Sequence, residues 1–165
     1  FFMILAQFYL SRINKKAVKQ NKMSVVMKYH KIIGYIIVPI LLLHPFLVVV
    51  PRFFESGIAP MEAFKIMITT YSSKGIILGL IAWVILLILS ITSLLRKIIP
   101  IKYTTWRLFH GILAIIFVIL STLHAVNLGR HTNSILSFYI ILLAVTGIIF
   151  LIKTYMLKTS KGTKS

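Results

Sequence analysis

Long apolar runs alternate with short polar ones along this chain. Four stretches, residues 32–51, 75–95, 108–129 and 131–152, contain no Asp, Glu, Lys or Arg. A helix crosses a bilayer with about 20 mostly apolar residues, so each stretch predicts a spanning helix. A fifth apolar stretch, residues 1–11, is too short to span alone and begins without Met. It reads as a helix that is cut, with any signal peptide or earlier helix out of view. The pattern therefore predicts helices over residues 1–12, 25–53, 73–98, 104–128 and 133–157. Pro39 and Pro45 should bend the second, since each removes a backbone donor and crowds the preceding turn. Between the second and third, APMEAFKIMITT places Pro60 in the first turn of a short helix. That helix is amphipathic enough to lie on a membrane surface. The expected fold is all-α: a polytopic membrane helix bundle with about five transmembrane helices, the first truncated. It forms one domain over residues 1–157, with a frayed polar tail at residues 158–165.

Composition supports a membrane setting. The 165 residues are 59% hydrophobic, where a soluble domain is usually about 45–50% apolar. The net charge is +17, with only two acids, Glu55 and Glu62. In a soluble protein such charge points to nucleic acid. Here the distribution explains it without a nucleic-acid partner. Fifteen of the nineteen Lys and Arg fall on one side of the expected topology: the segment after the first helix, the third connection and the C-terminal tail. That side is expected in the cytoplasm, which puts the C-terminus there too, in an integral protein of a bacterial inner membrane. Cysteine is absent, which excludes disulfides, thiolate chemistry and cysteine-held zinc or iron–sulfur clusters within this chain. No glycine-rich dinucleotide fingerprint or phosphate-binding loop is present.

The polar groups that break the apolar pattern are histidines. His30 and His44 lie fourteen residues apart in the second helix, and His110 and His124 lie fourteen apart in the fourth. Fourteen helical residues make about 3.9 turns and rise about 21 Å, so each pair shares one face within about 40°. One helix intervenes, so the second and fourth run parallel. The expected pairs are His30 with His110 near the cytoplasmic face and His44 with His124 toward the outer face. Ionisable side chains inside a membrane are costly and point to function. Two imidazoles make an incomplete zinc site, which takes four ligands. They do supply both axial ligands of a b-type haem, whose macrocycle provides the remaining nitrogens. Two haems b in a four-helix core are therefore expected, with four histidines as iron ligands.

Neighbouring residues fit that expectation in smaller ways. Gly34 follows His30 by one turn and Gly111 adjoins His110, and small residues let a flat ring approach the backbone. Phe117 lies midway between His110 and His124; it packs between the haems or serves as ordinary core or lipid-facing bulk. Arg107, with Lys28 and Lys31, near the inner pair, and Arg52 and Arg130 near the outer pair, are candidates to meet haem propionates. For any one of them, snorkelling to the interface is the simpler account. His131, next to Arg130, is taken as interfacial, with substitution as a ligand or contact with a partner the alternative.

The stretches YHKIIGYIIVPILLLHP and WRLFHGILAIIFVILSTLH resemble the ferric reductase-like transmembrane domain family. That family includes ferric reductases, NADPH oxidases and the haem-binding membrane subunit of a bacterial periplasmic methionine sulfoxide reductase system. The resemblance extends over roughly residues 1–155. It implies that His30, His44, His110 and His124 are haem ligands and that electrons pass across the bilayer. Ferric reductases and NADPH oxidases of this family carry a C-terminal FAD/NADPH module, and this sequence ends soon after its last helix. The expectation is a stand-alone electron-transfer subunit of an oxidoreductase. It would be reduced by a separate reductase or flavoprotein, a flavin, or membrane quinol, and oxidised by an outer-side redox protein or a small acceptor. A quinone-reacting cytochrome b anchor of a respiratory complex is the alternative. A cofactor-free transporter or anchor is the reading from another class, and intramembrane acids, which such transport usually needs, are missing.

Overall fold

The computed structural model describes residues 1–10, 23–69, 73–129 and 132–162. Among these, all regular structure is helical: α1 (Phe2–Leu10), α2 (Met23–Ser56), α3 (Pro60–Thr69), α4 (Lys74–Leu94), α5 (Tyr103–Leu128) and α6 (Ser134–Gly162). A 3₁₀ turn, Leu95–Lys97, closes α4. Four helices are long and apolar enough to cross a membrane, over Ser24–Pro51, Lys74–Lys97, Tyr103–Leu128 and Ser134–Lys153. These are the four charge-free runs of the sequence. The sequence predicts about five transmembrane helices, and four candidate spans are found among the described residues; the first expected one is the nine-residue α1, too short to span. The short helix at Pro60 forms where expected, with Glu62 in its first turn, where a carboxylate complements the helix dipole. Helix α6 runs five residues beyond its expected end at residue 157, to Gly162. The Lys- and Thr-containing segment holds no breaker until that glycine, whose residue type favours helix ends.

Packing divides the chain into two compact units, Phe1–Ile37 with Ile135–Ser165, and Val38–Ser134. In the first, Leu5 and Phe8 of α1 and Ile140, Ala144 and Leu151 of α6 are buried. Tyr9 donates its hydroxyl to the Leu143 carbonyl at 2.6 Å and meets the Thr146 hydroxyl. Gly147 lets α1 come close: a Cβ there would sit 3.2 Å from that of Phe8.

The second unit is built on the antiparallel pair α4 and α5. Ala82, Leu86 and Leu89 of α4 and Phe117 and Val118 of α5 form its core. Phe46 of α2 stacks on Phe64 of α3, with centroids 4.9 Å apart. Two hydroxyls at the end of α4 are satisfied by their own helix: Ser90 donates to the Leu86 carbonyl at 2.6 Å and Thr92 to that of Ile88 at 2.7 Å. Such back-bonding removes the cost of placing a hydroxyl in a medium without water. Much large apolar surface remains outward, with only 17% to 22% of each spanning window buried. In water that surface would drive aggregation. In a bilayer it faces acyl chains and costs nothing.

Candidate functional site: a histidine pair between two spans

Helix α2 continues through Pro39, Pro45 and Pro51. Each proline deprives a carbonyl one turn earlier of its donor, so this helix needs outside support. Trp83 of α4 supplies some, donating its indole N–H to the Leu42 carbonyl at 3.0 Å. Two residues further on, His44 projects from α2 just before Pro45.

His44 faces His124 of α5. The two ring centroids are 6.4 Å apart and the planes stand at 82°. His44 is exposed and His124 half-buried, and an imidazole exposed within an apolar span is costly to leave to lipid. His124 is tightly held. Its Nδ1 lies 2.8 Å from the Gly75 carbonyl of α4. A carbonyl only accepts, so Nδ1 is the donor, and in the neutral ring that arrangement leaves the lone pair on Nε2. This is the arrangement that metal-ligating histidines use: the non-ligating nitrogen is fixed by a hydrogen bond that also makes the ligating one more basic.

Two glycines make this contact sterically feasible. A Cβ on Gly79 would overlap the His124 ring, 2.6 Å from Cε1, and one on Gly75 would strike the Leu128 side chain. Gly75, Gly79 and Trp83 follow one another at four-residue intervals, so they share one face of α4. Small residues at such spacing let membrane helices approach closely. Sequence reasoning passed over all three. The G-x-x-x-G spacing in GIILG is the signal that marks them.

The geometry limits what the pair can bind. Among the described residues no cluster of three or more His, Cys, Asp or Glu exists, so two imidazoles fall short of a closed protein-only metal site. Two imidazoles with ring centroids 6.4 Å apart are the kind of donor set that serves a metal whose other ligands come with it, as in a haem.

The remaining predicted residues are placed as follows. His110 is half-buried on α5, with Trp106 stacked on it at 5.1 Å. His30 belongs to the first unit; its carbonyl accepts from the Gln7 amide at 3.2 Å. A Cβ on Gly34, one turn from His30 on α2, would meet none of the described residues within 4 Å. Gly111 and Phe117 are buried, and Arg107 is half-buried. His131, Arg130 and the side chain of Arg52 lie outside the described residues.

Four helices long and apolar enough to span a bilayer make this an integral membrane protein. The ferric reductase like transmembrane component family matches residues 1–121, and this chain belongs to that family, which implies electron transfer across a membrane. The match includes His30, His44 and His110 and ends three residues before His124. An uncharacterized protein of Archaeoglobus fulgidus is 41% identical over 165 residues, covering 99% of this chain and 89% of the relative. No solved structure matches.

Proposed function

We propose that the chain is a di-haem b-type cytochrome subunit that carries electrons from one membrane face to the other. The observation that carries this reading is the His44–His124 pair: centroids 6.4 Å apart, with the His124 Nδ1 held by the Gly75 carbonyl so that Nε2 is available to ligate. His44 and His124 would hold one haem. His30 and His110 would hold the second, a pairing that rests on the matched fourteen-residue intervals along α2 and α5. A haem held this way supplies reversible one-electron chemistry at its iron.

The protein's own residues orient and insulate. Gly75 holds the His124 ring through its carbonyl, and Gly79 gives the ring room. Trp83 tethers α2 beside His44 near a turn that Pro45 weakens. The apolar faces exclude water, which disfavours side reactions of a reduced centre. Positive charge concentrates on the side that carries the third connection and the C-terminal segment, and that side is assigned to the cytoplasm. A separate flavoprotein or membrane quinol would deliver electrons there. An outer-side protein or small acceptor would remove them.

A dithionite-reduced minus oxidised visible spectrum of the purified protein, with extracted haem counted per chain, tests the proposal. Two haems b per chain are expected. A colourless protein from gently lysed, haem-replete cells would overturn it.

A further inference from the structure

The surroundings of His110 hold a feature that the histidine spacing does not require. Trp106 lies one turn before His110 on α5, and their rings stack with centroids 5.1 Å apart and planes 28° apart. Residues four apart on a helix are neighbours, so the stack is local in origin. What fixes it is not local. The Trp106 indole N–H donates to the Thr92 carbonyl in the last turn of α4, at 3.2 Å, where intrahelical donors run out. The guanidinium of Arg96, from the 3₁₀ turn after α4, lies 5.5 Å from the Trp106 centroid and 5.8 Å from that of Tyr103. Tyr103 itself stacks on Trp106 at 5.9 Å.

Arg96 is spent in an unusual way. Its Nη1 reaches the Ile99 carbonyl only at 3.5 Å, and its buried Nε finds no hydrogen-bond partner among the described residues. The two acids of the chain, Glu55 and Glu62, are far from it in sequence. A half-buried guanidinium with a poorly satisfied donor set is costly. Packing on aromatic faces returns part of that cost. An interfacial arginine with no other task would extend into the headgroups. This one stays on the rings that lead to His110.

We propose that Trp106 is a positioning residue for His110, setting the plane of its imidazole, and that Arg96 fixes Trp106 and biases the His110 site with its charge. The inference rests on His110 being a haem ligand. The orientation of an axial imidazole sets the electronic anisotropy of ferric iron. A cation nearby disfavours the more positive oxidised state and raises the reduction potential. The two ligands of α5 are thus tuned by different devices, His124 by a backbone hydrogen bond and His110 by a stacked, cation-capped indole.

The experiment uses full-length protein in nanodiscs: wild type, Trp106→Leu, Trp106→Phe, Arg96→Gln, Arg96→Lys, and His110→Ala and His124→Ala to assign the two haem signals. Low-temperature EPR of the ferric state and a redox titration are read for each. Trp106→Leu is expected to shift the low-spin signal that His110→Ala removes, leaving the other in place. Trp106→Phe, which still stacks, should shift it less. Arg96→Gln should lower the midpoint potential of that same haem, with Arg96→Lys restoring most of it. A tryptophan that merely supports the fold would lower thermal stability and move neither readout. If Trp106→Leu and Arg96→Gln leave both signals and both potentials unchanged with two haems bound, the proposal is wrong. It is equally wrong if they move only the haem that depends on His124. Should Trp106→Leu fail to fold, Trp106→Phe and Arg96→Gln decide by the same criteria. Wild-type protein without haem overturns the cytochrome reading and this inference together; haem-loaded wild type with unmoved signals overturns this inference alone.

Discussion

The two ends of α5 hold their histidines by different means. Toward the C-terminal end, His124 is gripped by another helix: a carbonyl of α4 takes its proton and a glycine of α4 makes room for its ring. Toward the N-terminal end, His110 is gripped from its own helix by Trp106, and α4 acts only one step removed, through Thr92 and Arg96. A fourteen-residue interval makes the two look equivalent along the chain. The packing makes them unlike. A hydrogen bond to Nδ1 fixes tautomer and basicity together. A stacked ring fixes orientation and leaves basicity to whatever else the imidazole meets.

The largest effect that would break this comparison is loss of a ligand. His124→Ala, or His44→Ala, should remove one of two haems and leave the other, read as haem per chain. Retention of both haems in His124→Ala would reject the pairing and point to His131. Next comes the glycine cradle. Gly79→Ala drives a methyl group into the His124 ring and should weaken haem retention at that site about 10- to 100-fold, as for other disturbances around a bound ligand. The His110 signal should persist. Gly34→Ala, with nothing within 4 Å, should fold normally, so a selective haem loss there would mark a haem edge against α2. The 82° between the His44 and His124 planes predicts a strongly anisotropic low-spin ferric EPR signal for the haem proposed to lie between them. A rhombic signal from near-parallel planes would show that the rings rotate on binding. The smallest effect is expected from Trp83→Phe, which deletes the bond to Leu42 and should lower stability by about 0.5–1.5 kcal/mol. Thermal unfolding followed at the haem band measures it, with two haems retained.

Much of the helical layout was legible in the sequence. The absence of charge over four runs specifies spans because a buried charge in lipid costs more than any loop contact returns. The backbone there must be helical to satisfy its own polar groups. Pro60 and the end of α5 at Leu128 fell where their residue types placed them. The far end of α6 did not, since frayed ends depend on small propensity differences. Within the site, His44 and His124 were legible because polar rings in greasy helices stand out. Gly75, Gly79 and Trp83 did not stand out, since glycine and tryptophan are common in membrane helices for several reasons.

The sequence by itself determined an all-helical membrane protein, the four spans, the histidines at matched intervals and the family. Those features follow from periodicity, hydropathy and spacing, which are properties of one chain segment at a time. The tertiary structure alone decided that the His124 Nδ1 meets a carbonyl of α4, that Gly79 of α4 leaves room for that ring, and that Arg96 rests on the indole beside His110. Each depends on two segments remote in sequence meeting within hydrogen-bonding or van der Waals distance. Spacing along a single helix cannot encode that proximity.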